Sequence, residues 1–320
     1  MKNNKCTMSN LFNAGQKKSW ESNDNKFTFI DLFAGIGGFH MAFHRLGAEC
    51  VFASEWDEDA RKTYEANFKD ISPSLFKEGI FAEDNNMFAG DIREVNEKDI
   101  PDFHVLTGGF PCQAFSQAGH KRGFDDTRGT LFFDVARIIK EKQPEAFFIE
   151  NVRHLKNHDD GKTFETIKRV ITEDLEYSFY PFIVKAKDHG LPQLRPRLFM
   201  IGFRDRRISF EPPESIPLKL NMSDVFGGDC EREIGFTIRV GGRGSGIDDR
   251  RNWDAYRVDD EVVTLTPKEG KKMMGFPADF KFPVSEAKAM KQLGNSVAVD
   301  AVEAFAAKVV GKLKKHYEIS

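Results

Sequence analysis

Apolar and polar residues follow one another in a repeating order of strand, glycine turn and helix. The apolar run from Phe27 to Phe33 predicts a strand, and Ala34 to Gly38 predicts a tight turn. Apolar residues then recur every three or four positions up to Gly47, which predicts a helix with one buried face. That face is Phe39, Ala42, Phe43 and Leu46. This stretch therefore predicts the start of a strand–helix–strand unit.

The same alternation continues to Ile201 and predicts an α/β fold with a doubly wound, mostly parallel sheet. Further strands are expected at 49–54, directly before Cys112, and at 145–149. Residues 69–89 lack periodicity, so we expect a surface insertion there.

The pattern changes after Phe203, where glycine, proline and arginine replace helical periodicity up to about Val284. Helical spacing returns from Ser285 to the end of the chain. We therefore expect a polar leader at 1–26, a core domain at 27–207 plus 285–320, and between them a small, irregular, β-rich domain at 208–284.

Composition narrows the class of protein without identifying it. The 320 residues are 40% hydrophobic and 30% charged, as in ordinary soluble domains. No apolar run approaches the ~18 residues of a membrane span, and no signal peptide precedes the first strand, so we expect a cytoplasmic protein. The four cysteines are scattered, which gives no indication of zinc. With a net charge of −3, nucleic-acid binding would need a local basic patch.

A nucleotide site is indicated at the first glycine turn. Gly35, Gly37 and Gly38 follow a strand directly, and Glu55 lies twenty residues beyond Gly35. At that spacing a carboxylate accepts hydrogen bonds from a ribose, and Trp56 could supply a stacking face. No Lys-Ser/Thr pair follows the glycines, so an adenosyl group without a pyrophosphate fits best. The alternatives are packing glycines, a helix-capping Glu55 and a core Trp56.

A thiol and a carboxyl group end two neighbouring strands. Cys112 follows one apolar run and Glu150 ends the next. The ends of parallel strands meet at one edge of a sheet, so both groups are expected at one cleft. A thiol and an acid there suggest covalent catalysis with proton transfer. The alternatives are a buried structural cysteine and a helix-capping glutamate.

Arginines form two further groups. Arg195 and Arg197 alternate on an expected extended segment, so both should point to one side. The second group lies among glycines and could read guanine bases, because arginine bonds guanine with two hydrogen bonds in the major groove. Salt bridges within a loop are the alternative. The group is Arg239, Arg243, Arg250 and Arg251.

Taken in order, these motifs resemble the bacterial C5-cytosine-specific DNA methyltransferase family. The resemblance runs from Phe29 to about Ala304, apart from 69–89 and 208–262. Gly109–Ser116 is similar to the catalytic motif of the family. The other similar stretches are 29–39, Glu55-Trp56, Gly90–Ile92, Gly129–Asp134, Glu150–Val152, Gln193–Arg197, Gly275–Pro277 and Gln292–Val297.

The resemblance implies the S-adenosylmethionine-dependent methyltransferase fold, with S-adenosylmethionine as cofactor, S-adenosylhomocysteine as product and no metal. Phe33 would face the adenine, Glu55 the ribose hydroxyls, and Asp91 with Ile92 the adenine edge. The full set implied for the cofactor is Asp31, Phe33, Ala34, Gly35, Ile36, Gly37, Gly38, Glu55, Trp56, Asp91, Ile92, Pro111, Leu131, Asn295 and Ser296.

The resemblance also implies catalytic roles. Cys112 would attack C6 of a cytosine flipped out of the duplex, because that atom is inaccessible in the base stack. Glu150 would hold N3 and the exocyclic amine, and Arg195 and Arg197 would orient Glu150. The loop 113–128 would close over the base. The residues expected to contact DNA are Gln113, Ser116, Arg128, Arg239, Arg243, Arg250 and Arg251.

The expected partner is double-stranded DNA, read by a target-recognition domain at 208–284. We expect a monomer with no membrane association, and a restriction endonuclease that acts on the same site without required contact. Three alternatives stay open: a tRNA C5-cytosine methyltransferase, a non-catalytic DNA-binding relative, and a nicotinamide dehydrogenase with a cysteine nucleophile. Intact motifs disfavour the second, and the lack of a strict dinucleotide fingerprint disfavours the third.

Overall fold

A seven-stranded sheet organises the computed structural model, which describes residues 27–77, 87–111 and 131–317. Its strands lie in the order β3-β2-β1-β4-β5-β7-β6. All neighbours are parallel except β7, which runs antiparallel to β5 and β6. The strands are β1 (Thr28–Leu32), β2 (Glu49–Ser54), β3 (Phe88–Ala89), β4 (Val105–Gly108), β5 (Ala146–Val152), β6 (Tyr180–Lys185) and β7 (Pro196–Phe203). The expected mostly parallel sheet is confirmed.

Helices cover both faces of this sheet. They are α1 (Gly38–Arg45), α2 (Glu58–Phe68), α3 (Leu131–Lys142), α4 (Lys162–Arg169), α5 (Met222–Phe226), α6 (Pro267–Met274), α7 (Glu286–Asn295) and α8 (Val299–Tyr317). Successive β1 residues point to opposite faces, so Phe29 and Ile30 belong to different apolar clusters. The first cluster includes residues of α1 and α8, and the second includes residues of α3 and α4. The sheet is therefore doubly wound, as expected.

Residues 69–89 were expected to form a surface insertion, and this is wrong at Leu75, Phe88 and Ala89, whereas residues 69–71, Pro73 and Lys77 are exposed. Phe88 begins β3, the edge strand beside β2, and is buried. Leu75, in the short 3-10 helix Pro73–Phe76, is fully buried. A two-residue strand is too short to produce periodicity, so the sequence did not reveal it.

The segment 208–284 is largely irregular, and its regular strands are one antiparallel hairpin of β8 (Ala255–Val258) and β9 (Glu261–Thr264). The expectation that it lacks helices is wrong at α5 and α6. Thr266 caps α6 in a capping box with Glu269, and Pro267 occupies the first turn. The domain boundaries stay a prediction, since apolar residues of this segment share one continuous cluster with α8.

Within the described part of the chain, no helix is long and apolar enough to cross a membrane.

Candidate active site

A cleft of about 1230 Å³ lies where β1, β2, β4 and β5 end. Its size exceeds that of most single-ligand pockets, so it has room for a small cofactor and a second group. Of the residues predicted for the site, those on its wall are Phe33, Gly35, Ile36, Glu55, Trp56, Asp91, Ile92, Pro111, Leu131, Glu150, Arg197 and Asn295. Residues from four strand ends and from α7 therefore meet at one place.

Glu55 holds the glycine turn in place. Its Oε2 accepts a hydrogen bond from the backbone N–H of Gly35 at 2.8 Å, and its Oε1 accepts one from that of Asp57 at 2.9 Å. Burial raises the pKa of the carboxyl group, and these backbone donors oppose the rise. A carboxylate has about four acceptor positions, so Glu55 retains capacity for further donors in the cleft.

Trp56 and Asp91 also lie on the wall of the cleft. The Trp56 side chain is 75% exposed, so the alternative of a core anchor is wrong. Asp91 accepts hydrogen bonds from the guanidinium of Arg93, which lowers the pKa of Asp91. Leu131, at the start of α3, is half-buried and lies on the cleft wall.

Among the residues that the structure describes, six of those predicted to be catalytic or to bind the cofactor do not lie on the cleft wall: Asp31, Ala34, Gly37, Gly38, Arg195 and Ser296. Asp31 is buried behind the wall, where its Oδ1 accepts a hydrogen bond from Thr107 at 3.3 Å. Desolvation raises its pKa well above the usual range. A Cβ on Gly38 would lie 2.5 Å from Val297 Cγ2, so this glycine allows close packing. These six residues are therefore next to the wall in sequence without lining the cleft themselves.

Glu150 lies at the end of β5 and is paired with Arg197. Arg197 Nε lies 2.9 Å from Glu150 Oε1, and both side chains are largely buried. Burial raises the pKa of Glu150, while the positive charges of Arg197 and Arg195 oppose the rise. Asn151 Nδ2 donates to the carbonyl of Phe110 at 2.8 Å and so fixes the turn after β4 against β5.

This turn leads directly to the predicted nucleophile. A Cβ on Gly109 would lie 3.3 Å from Glu150 Oε2, which shows how closely the turn approaches the carboxylate. Pro111 follows on the cleft wall. Cys112 and the predicted DNA contacts Gln113, Ser116 and Arg128 lie outside the described residues.

The predicted side-by-side arrangement of Arg195 and Arg197 is wrong. Arg195 has a φ of +32°, which breaks the alternation of an extended segment, and it is 1% exposed. Its guanidinium donates to the carbonyls of Ile238 and Gly294, and to that of Ser296. Arg195 therefore anchors the C-terminal end of α7, which carries Asn295, and of these two arginines only Arg197 contacts Glu150 directly.

The matching family model is that of the C-5 cytosine-specific DNA methylases, over residues 27–227 and 231–311. The chain belongs to this family. Its members are DNA (cytosine-5-)-methyltransferases, so this chain is an enzyme of that class, of the Type II restriction-modification kind. The family implies S-adenosylmethionine as the methyl donor.

Among similar proteins, the Type II methyltransferase M.HpaII of Haemophilus parainfluenzae is 41% identical over 93% of this chain and 94% of its own length. M.SsoII of Shigella sonnei is 40% identical over 92% of this chain and 83% of its own length. M.HhaI of Haemophilus parahaemolyticus is 38% identical over 86% of this chain and 91% of its own length.

Solved structures agree on the fold. A putative DNA modification methyltransferase encoded within an E. coli prophage superposes with a TM-score of 0.67, covering 90% of this chain and 100% of its own, at 20% identity. The S. pombe Dnmt2 methyltransferase gives a TM-score of 0.65, covering 91% of this chain and 99% of its own, at 18% identity. The S-adenosylmethionine-dependent methyltransferase fold is thus confirmed.

The arginines predicted to contact DNA differ in their surroundings in this methyltransferase. Arg243 pairs with Glu286 at 2.6 Å, and Arg251 pairs with Asp249 at 2.7 Å. The Arg251–Asp249 pair is a salt bridge within a loop, as in the alternative interpretation, whereas the Arg243–Glu286 pair joins this segment to α7. Arg239 and Arg250 are exposed, and within the described chain neither pairs with a carboxylate.

Several cleft residues were not predicted as site residues, among them Asp134, Arg137 and Gln292. Asp134 and Arg137 follow Leu131 at three-residue steps along α3, so they lie on the same side of that helix. Gln292 belongs to a recognised motif, and its Oε1 accepts a hydrogen bond from Thr63 at 2.9 Å, which joins α2 to α7. Helical spacing from Leu131 was the signal that could have identified the first two.

Proposed function

We propose that this chain methylates C5 of one cytosine in a specific duplex DNA sequence, through a covalent bond between Cys112 and C6 of a flipped-out base. The observation that carries the proposal is the buried Glu150–Arg197 pair beside the turn that leads to Cys112, at the edge of a cleft with a nucleoside-type wall. The family places the chemistry at cytosine C5.

The cleft residues fit an adenosyl group. Glu55 presents a fixed carboxylate with free acceptor capacity, as a ribose requires, and Trp56 and Ile92 offer apolar surface to a base. Residues proposed to hold S-adenosylmethionine directly are those on the wall, while Asp31, Ala34, Gly37, Gly38 and Ser296 support it from behind. The cofactor, when bound, supplies the methyl group as an electrophilic carbon.

The protein residues carry the remaining steps. The thiolate of Cys112 adds to C6 of the cytosine, and the electron pair displaced from the C5–C6 double bond makes C5 nucleophilic. A carboxyl group whose pKa is raised by burial retains a proton more readily, so Glu150 is suited to donate to N3. After C5 has gained the methyl group, N3 returns its proton to Glu150, C5 loses its proton to water, and the electron pair left behind forms the C5–C6 double bond as the C6–sulfur bond breaks, which restores the aromatic ring and the thiolate.

Further parts of the proposal concern the DNA and the cell. Residues 208–284 act as the target-recognition domain, with Arg239 and Arg250 available for bases or phosphates, and the 113–128 loop closes over the flipped base. The enzyme acts as a cytoplasmic monomer, and its product cofactor is S-adenosylhomocysteine. It protects host DNA from a restriction endonuclease that acts on the same sequence without required contact.

The test measures transfer of a tritiated methyl group from S-adenosylmethionine to duplex DNA and to tRNA. We expect label in DNA only, and bisulfite sequencing of plasmid DNA from an expressing host then gives the target sequence. The Cys112→Ala variant is expected to bind S-adenosylhomocysteine with unchanged affinity and to transfer no methyl group. Glu150→Gln should slow transfer by about 10²-fold or more. Transfer retained by Cys112→Ala would refute the covalent mechanism.

A further inference from the structure

A cationic turn borders the cleft directly after the strand that carries Glu150. β5 ends at Val152, which lies on the cleft wall, and the next residues form the 3-10 helix Arg153–Asn157. Arg153 and Lys156 are exposed. We propose that these two side chains form a phosphate-binding site that holds the DNA backbone beside the cleft. The inference rests on the proposed function, since it takes duplex DNA as the partner.

The geometry of the turn directs both charges to one place. A 3-10 helix has three residues per turn, so Arg153 and Lys156 lie on the same side, about 6 Å apart along the helix axis. Leu155 between them is fully buried and anchors the turn to the domain core. Two cations on an anchored turn lose less conformational freedom when a phosphate binds than two on a free loop would lose.

The charges of this turn are not neutralised by the protein. Most described arginines pair with carboxylates, for example Arg204 with Glu145 and Arg207 with Asp205. By contrast, neither Arg153 nor Lys156 pairs with a carboxylate in the described chain. Two acids follow them: Asp159 lies 3.9 Å from Lys162, and in the described chain neither Asp159 nor Asp160 pairs with Arg153 or Lys156.

The position of Arg153 and Lys156 beside the cleft distinguishes them from ordinary solvent-exposed charges. The whole chain carries a net charge of −3, so its overall charge does not attract DNA. A substrate whose base enters the cleft must bring its phosphates close to the rim. A pair of uncompensated cations one to four residues beyond Val152 is therefore where backbone contacts are needed.

The experiment measures binding of a mixed-sequence duplex DNA by fluorescence anisotropy at several salt concentrations, which needs no knowledge of the target sequence. Each phosphate contact contributes about 0.9 to the slope of log K against log salt. The Arg153→Ala/Lys156→Ala variant should lower that slope by about two and weaken binding at 0.1 M salt by roughly one to two orders of magnitude. Arg153→Lys/Lys156→Arg should retain the wild-type slope.

A matched control removes one arginine and one lysine at the opposite edge of the sheet. Arg206 follows the end of β7 that lies beside the start of β5, and Lys315 is in the last turn of α8, next to His316, which pairs with Asp205 there. Arg206→Ala/Lys315→Ala should leave the salt slope unchanged. The inference is overturned by an unchanged slope in the Arg153/Lys156 variant, or by an equal fall in the control. If the wild type transfers methyl groups to DNA in the same preparation, such a result leaves the proposed function intact.

Discussion

Glu150 is a buried carboxyl group whose charge depends on a neighbouring arginine. Its pKa is raised chiefly by burial, and Arg197 opposes that rise. Because the folded-state pKa lies above the unfolded one, the stability contributed by this group is fully present below the unfolded pKa of about 4.3 and is lost as pH rises through the folded pKa. Removing Arg197 raises the folded pKa further and so enlarges the loss.

We therefore expect Arg197→Met to lose stability more steeply than the wild type as pH rises from 5 to 8. The additional slope is at most about 1.4 kcal/mol per pH unit, the limit for one proton. Urea unfolding at each pH measures the free energy of unfolding. The double variant Arg197→Met/Glu150→Gln should lose this additional slope, because the titrating group is gone. Parallel curves for Arg197→Met and wild type would contradict the role given to the ion pair.

The sequence predicted the position of single residues correctly where a motif lies at the end of a strand. Glu55 and Glu150 each end a strand or follow one, so their position in the cleft followed from the topology of a parallel sheet. The direction of the Arg195 side chain did not, because it depends on a positive φ and on carbonyls of residues 238, 294 and 296, far away in sequence. Spacing within one segment carries no information about such contacts.

At the scale of elements, the unit of β1, its glycine turn and α1 depends on Gly37. This residue has a φ of +84°, and a Cβ on it would lie 2.2 Å from Phe68 Cε2 on α2. A substitution there combines backbone strain with a clash against a buried ring. Gly47, after α1, has a φ of +78°, and a Cβ on it would have nothing within 4 Å. A substitution there would therefore cause backbone strain without a clash.

Gly37→Ala is accordingly expected to cost about 2–5 kcal/mol of unfolding free energy, from left-handed strain of ~1–2 kcal/mol plus overpacking of ~1–3 kcal/mol. Gly47→Ala should cost only the strain, about 1–2 kcal/mol. Urea denaturation of both variants separates the two contributions. Equal losses would mean that α2 moves to admit the methyl group, and the glycine would then be needed for backbone conformation alone.

The boundaries of helices and strands were predicted correctly where the local sequence signal is strong. β2 has the predicted bounds of 49–54, where an apolar run at 50–53 is flanked by Glu49 and Ser54. α6 was missed although Thr266, Pro267 and Glu269 form a standard helix start, because glycines and prolines dominate the surrounding composition. The antiparallel direction of β7 depends on how its neighbours pair across the sheet, which periodicity within a strand does not encode.

At the scale of the whole molecule, the cleft joins parts of the chain that are remote in sequence. Its wall runs from Phe33 in the first strand unit to Asn295 at the end of α7. A ligand that contacts both ends of the wall binds only the folded protein, so it stabilises the fold by mass action. The order of motifs in the sequence predicted this convergence, because the ends of parallel strands collect at one edge.

The fluorescence of Trp56 allows ligand binding in this cleft to be measured. The sequence contains three tryptophans: Trp56 is exposed on the cleft wall, Trp253 is 1% exposed and donates a hydrogen bond to the carbonyl of Gly241, and Trp20 lies outside the described residues. Titration with S-adenosylhomocysteine should change tryptophan fluorescence in the wild type and in Trp20→Phe, but far less in Trp56→Phe. At 100 times the dissociation constant, the ligand should add about 2.7 kcal/mol to the unfolding free energy, and NAD should add nothing. A full fluorescence change in Trp56→Phe would place the adenosyl group away from the wall formed by Glu55 and Trp56.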